Sequence, residues 1–356
     1  YPGFPEGTTG LGLMELFQKQ AKKFDVKFKL TDVKNIDLKG EVKIVETFRN
    51  RYEAKVVIID TGSRPRITNA KDEEKFLFDK GISFCATCDA AANTGKDVIV
   101  IGSGDAAIEE GMFLTKFAKK VYVSVMHEEG KMDCNEIARD EALKNEKMEF
   151  IWNTVVERFE GEDHLERVVL KNLKTGEEEP ITVDTCFEFI GYLPNSELLE
   201  GQVALTEKGF VIANERMETN VEGVFSVGDI NDKFLKQVAT AVGDGAIGGY
   251  GAEKYIAETE VFYSQVMRDD IPVAAFVFDA SCSNCREKLP VMEYVEKESN
   301  GRFKVVKIDV YKSKGLADRL NIDKFPTVAI IKDGKLETTI EDNEITESSI
   351  LSKMLA

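Results

Sequence analysis

One stretch limits the possible folds more than any other: "KDVIVIGSGDAAIEEGMFLTKFAKKVYVSVM", Lys96 to Met126. A continuous apolar run, a glycine turn, a helical stretch and a second apolar run make one βαβ unit, the building block of a parallel sheet. Gly102-Ser103-Gly104-Asp105-Ala106-Ala107 fits G-x-G-x-x-A in that context. Gly102 permits the tight turn, Gly104 lets a pyrophosphate approach the backbone, and Ala107 lets helix pack on strand. The helix N-terminus then faces the phosphates, although a tight βα turn without ligand would use the same letters. Past the second strand come His127, Glu128 and Glu129, where an acid would bond a ribose 2′-OH and repel a 2′-phosphate. No arginine occurs from residue 103 to 138, so a phosphate clamp would rest on Lys131 alone. This favours NADH over NADPH, with a solvated acidic turn as the alternative. "GDGAIG" from Gly243 and "GTTGLG" from Gly7 have no strand before them and are set aside.

A chain of 356 residues is too long for one core, and two or three domains are expected. The net charge of −17 leaves no basic stripe to neutralise phosphates and argues against a nucleic-acid partner. The longest apolar runs are strand-length, which argues against a membrane partner. No signal peptide is visible, and "YPGFPEGTTG" is expected to be the start of a truncated sequence. After residue 270 the pattern becomes β-α-β-α-β-β-α, a separate small domain. "AETEVFYSQVMRDDIP" before it, with its acids and proline, reads as a linker.

Four of the six cysteines form two C-x-x-C pairs, Cys85/Cys88 and Cys282/Cys285. Six are too few for a disulfide scaffold, and a reducing cytoplasm fits best. With only His127 and His164 available, neither pair easily completes a zinc site, and no metal is expected. A redox pair is favoured, because a C-x-x-C at a helix start holds its first sulfur near amide N–H groups that favour the thiolate. Asp89, directly after Cys88, could carry the proton that disulfide exchange releases or simply cap the helix. Around Cys282/Cys285 the order is strand, C-x-x-C, helix, and later Phe325-Pro326-Thr327. A cis proline there would leave backbone groups to pair with a substrate strand.

"CATCD" at Cys85–Asp89, "IGSGDAAIEE", "FIGYLPNSELLEG", "GVFSVGDI" and "KQVATAVGDGAIGG" occur in the order seen in bacterial low-molecular-weight thioredoxin reductases, which residues 1 to about 256 resemble. Residues 271–356, with "FDASCSNC", Pro290, "KIDV" and "KFPT", resemble thioredoxin. The resemblance implies an α/β protein with two Rossmann-like nucleotide-binding domains, the FAD domain incomplete and discontinuous, plus a C-terminal thioredoxin fold. Residues 1–66 and 192–256 would bind FAD, 67–191 NAD(P) and carry CATC, 257–270 link, and 271–356 form the thioredoxin-like domain. It implies Cys88 next to the flavin, Cys85 as the attacking thiol and Asp89 as acid/base. Cys282 would be the second nucleophile, Cys285 its resolving thiol and Pro326 the cis proline. Gly228 and Asp229 would meet the flavin's ribityl–phosphate part and Gln237 and Val238 its isoalloxazine. Thr61 and Gly62 would stand in the flavin-packing A-T-G, Gly191 would be a further cofactor contact, and Gly102, Gly104 and Ala107 would hold the nicotinamide dinucleotide.

Several positions depart from the family pattern. Its opening strand and flavin G-x-G-x-x-G have no counterpart, and A-T-G reads Asp60-Thr61-Gly62. The basic NADPH motif reads Val125 to Lys131, with Glu128 and Glu129 in it. Ser281 replaces the tryptophan before the second pair, Ser283-Asn284 the Gly-Pro within it, and Phe276 a buried aspartate. The expected activity is electron transfer from NAD(P)H, through FAD and Cys85/Cys88, to Cys282/Cys285 of the same chain or of a second subunit in a homodimer. A target protein disulfide or a peroxiredoxin would follow. A system like the alkyl hydroperoxide reductase flavoprotein, a ferredoxin-type donor and a non-turnover redox sensor are the alternatives.

Overall fold

The computed structural model describes residues 1–312 and 314–355. They fall into two units, one of Tyr1–Asp60, Ser196–Thr206 and Phe210–Ala356, the other of Thr61–Asn195 and Glu207–Gly209.

The second unit is built on a five-stranded sheet in the order Ile82–Ser83, Thr185–Glu188, Asp97–Ile101, Lys120–Val125, Met148–Trp152. Every pairing in it is parallel. Val98, Ile99, Val100, Val121 and Val123 are all wholly buried, which demands cover on both faces. On one face Ala107, Ile108 and Leu114 of the helix Asp105–Leu114 pack with Ala138 and Ala142 of Glu136–Leu143. On the other, an antiparallel meander, Thr154–Glu160, Arg167–Asn172 and Glu178–Thr182, lays Phe159, Val168 and Leu170 against Ile82, Ile99 and Cys186. The expected βαβ unit is this sheet's centre. The run from Met148 to Gly161 reads as one alternating stretch, yet it splits at Asn153, whose φ of 55° lets the chain leave one sheet for the next.

In the first unit, a three-stranded antiparallel sheet (Val33–Asp37, Lys43–Thr47, Arg51–Ala54) is followed by Val57–Ile59, which pairs in parallel with Val224–Ser226. The 24-residue helix Val238–Val261 comes next. The C-terminal sheet runs Lys304–Asp309, Val273–Phe278, Thr327–Lys332, Lys335–Glu341, the first pair parallel and the others antiparallel. Alternation splits its side chains: Ala274, Phe276, Val328 and Ile330 meet Met292, Val295, Ile350 and Met354 of two helices. Val273, Ala275, Val277, Ala329 and Ile331 face the other way. Asp333 (φ 50°) and Gly334 (φ 68°) turn the expected hairpin with the positive φ at both central residues that a two-residue loop favours.

The expected linker at 257–270 is not one over most of its length. The long helix continues through Val261 into a further helical turn, Phe262–Val266. Phe262 and Val266 are buried against the second face of the C-terminal sheet, beside Leu316 and Ala317 of Lys314–Arg319. Two apolar residues four apart lie on one helix face, and their burial outweighs the acidic neighbours that suggested solvent.

Candidate functional site

Cys85 ends an extended segment (φ −147°, ψ 102°) and caps the short helix Ala86–Asp89. Its sulfur accepts the Cys88 N–H at 3.2 Å, lies 3.3 Å from Thr87 Oγ1 and is disulfide-bonded to Cys88. Asp89 lies one turn on. Its Oδ2 accepts the Ser83 hydroxyl at 2.6 Å, and Ser83 Oγ accepts the Cys85 N–H at 3.2 Å. Behind them Asn93 Nδ2 donates to the Asp89 carbonyl at 2.9 Å, and Thr185 Oγ1 donates to Asn93 Oδ1 at 2.7 Å. Sequence reasoning missed Ser83, although a serine two residues before the first cysteine is placed to meet the new helix's backbone.

At the glycine turn, Gly102 has φ 126°, and a Cβ there would stand 2.7 Å from the Phe189 carbonyl and 3.2 Å from Ala107 Cβ. A Cβ on Gly104 would meet nothing within 4 Å, so the space above the turn is open. Gly104 caps the helix Asp105–Leu114 without a side-chain bond, leaving its first N–H groups to face that space. A loop is fastened to this turn. Asp133 Oδ2 accepts from Ser103 Oγ at 3.0 Å and is 2.9 Å from His127 Nε2, and its N–H reaches the Ser103 carbonyl at 3.0 Å. Asp105 Oδ1 accepts from Asn135 N and Nδ2 at 2.7 and 2.8 Å. The bond with His127 holds the Asp133 carboxyl below its ordinary range. Glu128 is drawn elsewhere, to Lys174 at 2.9 Å and Lys131 at 3.5 Å, and Glu129 is exposed. Asp133, which sequence reasoning passed over, is thus the acid joined to the turn.

In the first unit Gly228 (φ 76°) approaches Asp60 so closely that a Cβ would stand 2.4 Å from its Oδ1. The Gly228 N–H donates to Asp244 Oδ2 at 3.1 Å, and Lys233 Nζ lies 2.9 Å from the same oxygen and 3.5 Å from Asp229 Oδ1. Burial, then the Asp229 charge, raises the Asp60 carboxyl. Lys236 Nζ donates to the Asp229 and Asn231 carbonyls, and burial lowers its ammonium. Gln237 and Thr240 form a capping box at the start of Val238–Val261. Asp229 Oδ1 is buried and accepts no hydrogen bond. A buried acceptor that has the Lys233 charge nearby but no hydrogen bond, beside a glycine cradle and a long helix N-terminus, suits the sugar–phosphate part of FAD, whose hydroxyls are donors. Thr61 and Gly62 belong to the second unit, where Asn195 holds both carbonyls; Gly191 (φ 105°) is nearby in the chain fold, its carbonyl accepting from Arg66 N–H.

Cys282 caps the helix Ser283–Glu287, and its sulfur accepts the Cys285 N–H at 3.2 Å, the same arrangement as in Cys85/Cys88. Cys282 is partly exposed and Cys285 wholly buried. Burial, then the bond with Cys282, pushes the Cys285 thiol up to about 11. Asp279 Oδ1 accepts the Ser281 N–H and hydroxyl, which hold its carboxyl low. Phe325–Pro326 is cis. The Pro326 carbonyl accepts the Asp342 N–H at 3.1 Å. Phe276 is wholly buried and stacks on Phe278 at 5.1 Å.

The fold and the paired dithiols define a disulfide oxidoreductase joined to a thioredoxin module, and comparison with known proteins agrees. The pyridine nucleotide-disulphide oxidoreductase family model matches residues 4–245, and the thioredoxin model residues 254–356. A thioredoxin reductase of Peptoclostridium acidaminophilum is 40% identical over 72% of this chain and 82% of its own. A bifunctional thioredoxin reductase/thioredoxin of Mycobacterium leprae is 30% identical over 94% of this chain and 82% of its own. The crystal structure of a Streptococcus pyogenes thioredoxin reductase superposes with a TM-score of 0.67 at 35% identity, covering 72% of this chain and 83% of that one. The chain belongs to the pyridine nucleotide-disulphide oxidoreductase family and carries a C-terminal thioredoxin domain. Its chemistry is that of an FAD-dependent disulfide oxidoreductase of the thioredoxin reductase type.

Proposed function

We propose that the chain passes an electron pair from NADH, through FAD and Cys85/Cys88, to its own Cys282/Cys285 and then to a target protein disulfide. The observation that carries this is the repeated device: two C-x-x-C pairs in one chain, each with its first sulfur accepting the N–H of its second cysteine at a helix start. Residues 1–66 and 192–256 serve FAD, 67–191 the dinucleotide and 271–356 the last dithiol. FAD, when bound, supplies the electron pair that opens the Cys85–Cys88 disulfide.

Gly228 and Asp229 would meet its ribityl–phosphate part, and Gln237 and Val238 would lie near its isoalloxazine. Gly102, Gly104 and Ala107 leave room for the dinucleotide's pyrophosphate. Asp133, fixed by Ser103 and His127, takes the part first given to Glu128 and Glu129, accepting from the ribose 2′-OH and repelling a 2′-phosphate. Once the first pair is reduced, Asp89 takes the Cys85 proton and the Cys85 thiolate attacks Cys282, the more exposed sulfur of its disulfide. A Cys85–Cys282 bond forms and the Cys282–Cys285 bond breaks. Cys285 leaves with the electron pair and protonates readily, given a thiol near 11. Cys88 then attacks Cys85, restoring the first disulfide and releasing Cys282 to act on the target. A homodimer in the cytoplasm, where thiols stay reduced, suits this relay.

The test follows flavin absorbance of FAD-loaded protein with NADH and NADPH separately. Bleaching should be at least tenfold faster with NADH; equal rates would overturn the role of Asp133. Cys88→Ser should leave bleaching intact while Cys282–Cys285 stays oxidised. Reduction of that pair in the variant would sink the relay.

A further inference from the structure

We propose that Ser83 is a positioning residue for disulfide exchange at Cys85, holding the Asp89 carboxylate beside the redox pair through its own hydroxyl. The inference rests on the reading of Asp89 as the proton handler.

Ser83 is the last residue of the edge strand Ile82–Ser83, paired in register with Phe187. It is 8% exposed, so its hydroxyl depends on protein partners. A serine has one proton to give. Asp89 Oδ2 at 2.6 Å receives it, the Cys85 carbonyl at 3.4 Å being the weaker alternative. Ser83 Oγ in turn accepts the Cys85 N–H at 3.2 Å. One atom therefore joins the backbone of the attacking cysteine to the carboxylate that would take its proton. The Asp89 main chain is fixed separately, by Asn93 Nδ2 on its carbonyl, with Thr185 fixing Asn93 in turn. Of the Asp89 groups, it is the carboxylate that bonds to Ser83.

Among the titratable groups around the pair, Tyr192 donates its hydroxyl to the Phe84 carbonyl, next to Cys85, at 3.1 Å. Cys85 and Cys88 share the Asp89 helix. On the strand beside Ser83, Cys186 packs into the sheet's opposite core, away from Ala86 and Ala90 of the redox helix. In the exchange step the Cys85 thiol gives its proton to Asp89, and the thiolate forms a bond to the acceptor sulfur while the acceptor's S–S bond breaks. A hydroxyl donated to a carboxylate favours the charged, proton-accepting form. Without it, the Asp89 carboxylate would lose the bond that joins it to the Cys85 backbone.

The test uses the full chain reduced with dithiothreitol, then freed of it. Cys85 alkylation by iodoacetamide is followed by peptide mass from pH 4 to 10, a readout that needs no flavin turnover. Asp89→Asn should slow Cys85 alkylation across the profile. Ser83→Ala should slow it about tenfold, the size expected for losing a hydrogen bond to a charged group. Ser83→Thr should restore the rate, and Ser83→Ala added to Asp89→Asn should slow it no further. A Ser83→Ala effect that adds in full to Asp89→Asn would show a merely structural serine and overturn this proposal alone. An unchanged profile in Asp89→Asn would overturn the reading of Asp89 and this proposal with it.

Discussion

Glu188 ends the strand Thr185–Glu188 and is 3% exposed, facing Glu73, which is 2% exposed. Glu73 Oε1 accepts the Thr68 N–H at 2.9 Å, but its Oε2 and both Glu188 oxygens are buried without a donor. Two carboxylates cannot both stay charged there, so one proton is held between them. Burial, then the contact with Glu73, pushes Glu188 up to about 9. The same burial, with the Glu188 charge adding to it, raises the neighbouring Cys186 thiol. The folded chain thus keeps a proton that the unfolded chain releases near an ordinary glutamate value. Its stabilising effect is fully present below about pH 4.5 and is lost as pH rises through about 9. Tm should therefore fall steadily from pH 5 to 9. Glu188→Gln should flatten that slope and raise Tm at pH 8 by roughly 5 °C. An unchanged slope in calorimetric scans would mean the proton is held elsewhere.

Among the elements, the helix Val238–Val261 and its extension Phe262–Val266 carry the most unexpected role, because one continuous helix serves both modules of the first unit. A second attachment is Arg319, at the end of Lys314–Arg319. Its Nε donates to Glu222 at 2.7 Å and Nη2 to Thr259 at 2.7 Å, while the guanidinium stacks 4.9 Å from the Tyr255 ring and 5.4 Å from Phe262. Glu222 is largely exposed, so the ion pair itself contributes little. The partly buried bond to Thr259 and the ring contacts dominate. Arg319→Ala should cost about 2 kcal/mol in urea unfolding. Arg319→Lys, which keeps the charge but not the planar fork, should recover only part. Equal stability in Arg319→Ala would show that the contact is idle.

These elements also show what was legible in the sequence. The βαβ unit, the C-terminal β-α-β-α-β-β-α order, the turn at Asp333–Gly334 and both C-x-x-C pairs could be read because each is coded within a few residues of itself. Phe262 and Val266 were hidden, since their burial depends on a sheet whose strands lie up to 70 residues further on. Asp133 was hidden likewise, being joined to Ser103 thirty residues back. Ser83 was missed for a different reason: its bond to Asp89 is local, but nothing in a strand-ending serine says which acid it will meet.

For the whole molecule, the shared helix moves the C-terminal module's effective border upstream of residue 271. Sequence pattern started that module at the strand Val273–Phe278, whereas the thioredoxin match begins at residue 254. The difference is physical. Val273, Ala275, Val277, Ala329 and Ile331 form a sheet face that Phe262 and Val266 cover together with Lys314–Arg319. Burying each such side chain contributes about 1.5–3 kcal/mol, so losing both removes a sum comparable with the whole net stability of a small domain. A fragment of residues 254–356 should therefore melt as one cooperative transition. A fragment of residues 271–356 should bind a hydrophobic dye and lose its sharp melt. If the shorter fragment unfolds as cooperatively and at the same temperature, the helix end is a passive passenger and the module is complete without it. If only the longer one folds, the thioredoxin module is attached through part of its own core. The expected linker at 257–270 then gives way to a module fixed on the flavin-side helix.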